Sequence, residues 1–510
     1  MKKIISVFLF GLLLTIPLNG QSLKLGELFN EGAVLQRNSK IAVWGTSAPK
    51  ATVTLFIQDK QIQTKSNSDG KWSLELSKLK EGGPYSLTVV SVKDTIRLKE
   101  VYLGEVWIAG GQSNMAFMLQ NSDNGKDEIS QAKNTNIRFV LVPFKAFDGD
   151  KNRGDMRWRT ATTENVATMS SVAYYFAKEL QAKLNVPIGV ICCYKGGSGA
   201  ETWMSRESIL KKSETAPLVE NYDKNYTKLG KEKYFELLAK YNKDLKRYND
   251  TTKEGRASLK KPNEPMGEQN YNRPGGLYGT MLNRVFPYTA KGVIWYQGEH
   301  NSPHAAQYRT LFPAMIEQWR TDFRNPNLPF LFVQLPSYAN ASVNNSPTWP
   351  ELRDAQLYTF KTVKNTGMAV TIDLGEKTNI HPTHKEPVGK RLSAIALNQV
   401  YGFDNPYSGP LYKNVEIKGN QAIVSFDFVT NGFKVDGELL GFTICGEDHT
   451  FFPAKAEIKG NQLIVYAGSV PKPEAVRYGW ENWTEANLKN GDGFLASPFR
   501  TDNFPLITDK

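Results

Sequence analysis

The sequence predicts an α/β protein, a parallel sheet wrapped by helices and flanked by β-rich modules. Two observations carry that class. From Val101 to about residue 400, short apolar strands alternate with helical patterns, as a parallel sheet with crossover helices requires. Before residue 100 and after Tyr401 the helical period is missing, and short alternating runs separated by turns take over. The 510 residues, 40% hydrophobic and 11% aromatic, suit a globular protein and exceed one ordinary core.

Taken in order, residues 1–20 read as a secretory signal. Lys2-Lys3 precede an apolar run from Ile4 to Leu18 that ends in Asn19-Gly20, too short for a membrane anchor. No later stretch reaches membrane-spanning length, so the mature chain is expected to be secreted or periplasmic. Residues 21–100 read as a β-sandwich-like module, because "IAVWGTSAPKATVTLFI" and "KWSLELSKLKEGGPYSLTVVSV" alternate apolar and polar positions around turns. Residues 101–400 form the expected catalytic domain. In it, "SSVAYYFAKELQAKL" puts Val172, Phe176, Leu180 and Leu184 on one helical face after a Ser-Ser start. "QYRTLFPAMIEQWRTDF" is a second helix, with Pro313 expected near its start or at a kink. A Lys-rich insertion at about 207–272 contains one amphipathic helix through Tyr234, Leu238, Tyr241, Leu245 and Tyr248, read as half of a helical hairpin. Residues 401–510 form a C-terminal β-rich module, whose near-copies "EIKGNQAIVSF" and "EIKGNQLIVYA" each read as a hairpin.

Charge and cysteine content narrow the function classes. The formal charge of +12 would suit anionic partners. No basic motif with interleaved aromatics appears, so nucleic-acid binding is not expected. Cys192, Cys193 and Cys445 read as buried thiols, since neighbours in a strand point to opposite faces and cannot easily be bridged.

Chemistry concentrates where four predicted strands end. Strand 105–109 runs into Gly110-Gly111-Gln112-Ser113-Asn114 and strand 186–194 into Lys195-Gly196-Gly197-Ser198-Gly199. Strand 292–296 runs into Gln297-Gly298-Glu299-His300-Asn301, and strand 367–372 into Asp373-Leu374-Gly375-Glu376, with His381 close behind. In parallel sheets, ligands bind beyond the carboxyl ends of the strands. A serine, an acid and a histidine gathered there are the parts of a nucleophilic acyl-transfer site, with backbone N–H groups and a side-chain amide to hold the oxyanion. Other motifs are incomplete. Neither glycine turn completes G-x-S-x-G, no G-x-x-x-x-G-K-[ST] follows Gly197, and His381 with His384 lacks the partners of a zinc site. His300, His304, His384 and His449 read as surface or structural, and Trp107, Trp203, Trp295 and Trp480 as core.

These stretches resemble the sialate O-acetylesterases, within the SGNH-type (GDSL-like) esterases. The resemblance rests on "GGQSNM" at 110–115, "GVIWYQGEHN" at 292–301, "IHP" with "VGKRLSAIAL" at 380–397 and the closing segment from "FFPAKAEIKGNQLIVYAG". It implies a flavodoxin-like three-layer core with β-rich extensions and no metal or cofactor. It also implies Ser113 as nucleophile and His381 as general base. Gly197 and Gln297 are implied at the oxyanion, beside Gln112 and Asn114 as further oxyanion or substrate-binding residues. Such enzymes commonly carry Asp three residues before the histidine, where this chain has Thr378; Glu376, Asp373, Glu299 or a backbone carbonyl is left to orient His381. The expected activity is hydrolysis of O-acetyl esters of carbohydrates, with O-acetylated sialic acid the substrate that the resemblance implies. The rivals are an acetyl-xylan or other polysaccharide esterase and, from another class, a catalytically inactive carbohydrate-binding protein.

Overall fold

The computed structural model describes residues 22–151, 154–252, 255, 259–339 and 347–509. The signal read over residues 1–20 lies outside them. The central sheet contains β1 (Asp94–Gly111), β2 (Lys133–Leu141), β3 (Arg159–Thr162), β4 (Ile188–Tyr194), β5 (Gly292–Tyr296), β6 (Phe330–Val333) and β7 (Thr366–Ala369). Their spatial order is β3-β2-β4-β1-β5-β6-β7, with every pairing parallel except β2–β3. Leaving out β2 and the antiparallel edge strand β3, the other five of the six parallel strands, counted along the chain, lie in the order 2-1-3-4-5. This is the flavodoxin-like arrangement, in which the crevice opens where strand order reverses beside the first strand. Helices α1 (Ser171–Leu184), α2 (Ala216–Leu229), α3 (Lys231–Asp250), α4 (Ala305–Asp322), α5 (Thr348–Thr362) and α6 (Glu386–Gln399) follow. α1 packs on α6 and α4 on α5, completing a three-layer α/β/α core.

Local sequence explains these elements. Ser170 caps α1 by accepting the Ala173 N–H, and Val172, Phe176 and Leu180 are fully buried on the expected face. Pro313 lies inside α4 rather than at its start, which leaves the kink as the expectation for it. α2 and α3 form the expected helical hairpin, joined at Gly230 (φ +79°). β1 holds the molecule together. Its first half pairs with Gly82–Ser91 and Val34–Gln36, its second half with β4 and β5, so the N-terminal strands continue the central sheet into one of eleven strands.

The two near-copies form β8 (Leu411–Lys418) with β9 (Gln421–Asp427), and β10 (Lys455–Lys459) with β11 (Gln462–Tyr466). They join as one antiparallel sheet, β8-β9-β11-β10. Gly419 and Gly460, each at φ +60°, hold the first position of the two-residue turns, where glycine is favoured. The C-terminal region also braces the core: Tyr338 N–H donates to Asn482 C=O, and Gln334 Nε2 to Ser497 Oγ. All three cysteines are buried and free.

Candidate active site

The turn after β1 places Ser113. Val106 to Gly111 are buried, and the strand stops because Gly111 adopts φ +130°, with Tyr296 O only 2.2 Å from where a Cβ would stand. Gln112 N–H then donates to Tyr296 O (3.0 Å), and the Gln112 carbonyl accepts from Met115 and Ala116, closing a helical turn. Ser113 sits at its start. Among the described residues its N–H has no protein acceptor, and neither does that of Gly196 or Gly197. A Cβ on Gly196 would lie 3.4 Å from Ser113 Cβ, so the β4 glycine turn packs directly on the serine. Asn272 Nδ2 donates to Gly197 C=O (2.8 Å) and Tyr271 Oη to Gly196 C=O (3.4 Å). The return segment of the Lys-rich insertion thus holds the carbonyl side of that turn.

His381 arrives from the loop after β7. Its Nε2 is 2.8 Å from Ser113 Oγ, across 268 positions of sequence. Half-burial, then the charge of Lys385, holds the imidazole below its ordinary value of 6.5, which favours the neutral, proton-accepting form.

The expected third member is not where the sequence reading put it. Asp373 forms a two-pronged ion pair with Arg391 of α6 (2.7 and 2.6 Å). Glu299 accepts from Asn114 Nδ2 (2.5 Å). Glu376 accepts from Thr383 N–H (2.7 Å), Thr383 Oγ1 (3.1 Å) and Asn379 Nδ2 (2.9 Å). Among the described residues no carboxylate forms an ion pair or hydrogen bond with the His381 ring, and Nδ1 has no partner. These findings correct all three acid assignments. The histidine is instead held by its backbone, because Asn379 Oδ1 accepts its N–H (3.0 Å) and Asn379 Nδ2 donates to its C=O (2.9 Å).

Two amides need a similar correction. Both N–H groups of Gln297 are engaged, to Asn301 Oδ1 (2.7 Å) and Ser198 C=O (3.2 Å), and its Oε1 accepts from Tyr308 (3.0 Å). Gln297 is therefore a brace between strand ends rather than an oxyanion donor. Asn114 is fully committed as well, to Glu299, to Ile380 C=O (2.9 Å) and to Lys385 Nζ (2.6 Å), so it does not face substrate. Gln112 keeps its Nε2 free of protein acceptors among the described residues, while its Oε1 accepts His300 N–H (3.2 Å).

Sequence reasoning missed Lys385, Asn379, Tyr271 and Asn272. Lys385 offered one signal, a cation immediately before the Glu386-Pro387 start of α6, where the helix dipole disfavours it; the structure buries it at 1% exposure. Burial drives its pKa down to about 7, partly opposed by Glu299 and Glu376. Burial likewise raises Glu299, against the hydrogen bond from Asn114. Desolvation, the largest single influence, raises Glu376, but the bonds from Thr383 and Asn379 together outweigh it and leave the carboxyl lower than usual.

This geometry, a hydroxyl on an imidazole beside unpaired N–H groups, is that of acyl transfer. A family profile described as carbohydrate esterase, sialic acid-specific acetylesterase, matches residues 264–398. The chain is 28% identical to the sialate O-acetylesterase of Mus musculus, covering 88% of each chain. It is 27% identical to that of Homo sapiens, over 91% of this chain and 88% of the relative. The crystal structure of a carbohydrate acetylesterase from Xanthomonas citri superposes with a TM-score of 0.79 at 34% identity, covering 95% of this chain and all of the other. With that fold, that coverage and an acyl-transfer arrangement at the strand ends, the chain belongs to the sialate O-acetylesterase family of carbohydrate esterases.

Proposed function

We propose that the protein removes acetyl groups from O-acetylated sialic acid through an acetyl-serine, with Ser113 as nucleophile and His381 as general base. The observation that carries this reading is the 2.8 Å contact between Ser113 Oγ and His381 Nε2. Oγ attacks the acetyl carbonyl carbon while Nε2 takes its proton. The resulting oxyanion lies against the N–H groups of Ser113 and the Gly196-Gly197 turn. As the intermediate collapses, the ester C–O bond breaks and the imidazolium protonates the sugar oxygen. Water then attacks the acetyl-serine and gives a proton to His381; as the acyl C–Oγ bond breaks, the imidazolium returns it to Ser113 Oγ, leaving acetate and free Ser113.

The names of the relatives support sialic acid as the sugar. Acetate release from O-acetylsialic acid, measured beside acetyl-xylan, tests that choice, and acetate release from acetyl-xylan alone would overturn it. The sequence of residues 1–20 supports export to the periplasm or medium. Among the described residues, no helix is long and apolar enough to cross a membrane. The N-terminus of the mature protein, read by mass spectrometry, checks export: an intact Met1 refutes it.

A further inference from the structure

Asn114 and Ile380 are the immediate neighbours of Ser113 and His381, one in each loop. The bond from Asn114 Nδ2 to Ile380 C=O (2.9 Å) therefore ties the serine's turn directly to the histidine's loop. A freely rotating amide would make a poor tie. This one is fixed at both ends: its second N–H donates to Glu299 Oε1 (2.5 Å), and its Oδ1 accepts from Lys385 Nζ (2.6 Å). Reversing the amide would turn its NH2 toward an ammonium and its oxygen toward a carboxylate, so the two charges select one orientation. Asn114, Glu299 and Lys385 are all buried, at 1%, 7% and 1% exposure.

The environment of the two charges argues against a merely structural ion pair. Among the described residues Lys385 and Glu299 make no direct salt bridge, and Glu299 Oε2 has no hydrogen-bond partner. The ammonium stands over the Phe117 and Tyr296 rings at 5.1 and 5.2 Å. The charged or titratable groups acting on it are Glu299, Glu376 and His381. Two buried charges bridged by one amide are costly to desolvate. Here that amide spans the reacting pair.

We propose that Lys385 and Glu299 are positioning residues, which orient the Asn114 amide and so hold Ser113 and His381 in register without a carboxylate on the imidazole. The inference rests on the reading of Ser113 and His381 as nucleophile and base. Besides orienting the amide, the Lys385 cation opposes protonation of His381 and keeps the base available at lower pH.

The test is Lys385→Met, which keeps the apolar stem but removes donor and charge, alongside Glu299→Gln, which keeps the shape. kcat and KM for 4-nitrophenyl acetate are measured from about pH 5 to 9. Lys385→Met is expected to lower kcat by about 10- to 100-fold, as loss of an orienting partner does, with KM little changed. The acid limb of kcat/KM should move to higher pH, because burial alone then disfavours the imidazolium, without the neighbouring cation. An unchanged kcat overturns the inference. So does a fall in kcat with the acid limb unmoved, which marks loss of packing only. If Lys385→Met does not fold, Glu299→Gln decides: a loss of kcat at constant KM supports the inference and wild-type kcat overturns it. Ser113→Ala separates the two levels. Retained activity there removes the nucleophile assignment itself, whereas an inactive Ser113→Ala beside a normal Lys385→Met removes only the positioning role.

Discussion

Two glutamates flank His381, and they are held in opposite ways. Glu376 is partly exposed, accepts three hydrogen bonds and is more acidic than usual. Glu299 is buried, accepts one bond from Asn114 and is less acidic than usual. Neither touches the imidazole. Glu376 acts through Asn379 on the backbone of His381 itself, and Glu299 acts through Asn114 on the backbone of Ile380. The loop is gripped on both sides, and the difference lies in where each grip is anchored. The Glu376 bracket is anchored within the loop after β7, whereas the Glu299 cluster is anchored beside the serine. Orientation of His381, the proposed base, is a backbone problem here, met by two amides in place of one carboxylate.

The largest effects should come from Ser113 and His381, the proposed nucleophile and base. Ser113→Ala should abolish turnover, by a factor on the order of 10⁶ by comparison with other serine hydrolases, with fold and melting temperature kept. Hydrolysis of an aryl acetate checks this. Next comes the exposed bracket. Asn379→Ala removes both backbone contacts to His381 and should lower kcat by roughly 100-fold, the scale of a displaced catalytic group. Because the charges around the imidazole remain, its acid limb should stay where it was. That outcome separates the Asn379 bracket from the Lys385 cluster, whose loss is expected to move the limb.

pH resolves the two sides further. His381 lies below 6.5, so kcat/KM should hold down to slightly acid pH and fall once the imidazole takes its proton. Glu376 has a lowered folded-state pKa, so its contribution to stability is present above the unfolded carboxylate range and lost as pH drops through its folded value. Activity should therefore decline at higher pH than the loop loosens, and a rate profile set beside thermal melts at each pH would show the two steps apart.

How far sequence reading reached follows from burial. The end of β1 was readable because Val106–Ala109 is apolar and Gly110-Gly111 breaks it. Its beginning was not. Between Asp94 and Leu103 the strand is largely exposed on one face and alternates, whereas from Leu103 onward every residue is buried. The change of pattern near Val101 registers a change of surroundings within one continuous strand. β2 escaped because its first four residues, Lys-Asn-Thr-Asn, read as loop, and β6 because four residues carry no period. At the site, Ser113 and His381 could be inferred from strand-end chemistry. Side-chain direction could not: Gln297 meets Asn301 four residues on, and nothing in their spacing says that the pair closes on itself.

The smallest expected effect is also the sharpest check on the missing carboxylate. Asp373 is one of the three acids that the sequence left open for His381, yet both of its oxygens are taken by Arg391. Its side chain is 33% exposed and that of Arg391 is 19% exposed. An ion pair this open to solvent contributes little, about 1 kcal/mol or less. Asp373→Asn should therefore lower the melting temperature by a few degrees at most, and leave kcat within about twofold and the acid limb in place. Were Asp373 the orienting acid, the same substitution would cost up to roughly 10⁴ in turnover, as it does in a Ser-His-Asp triad. Four orders of magnitude separate the two outcomes, so one kinetic comparison decides whether this histidine works without a carboxylate at that position.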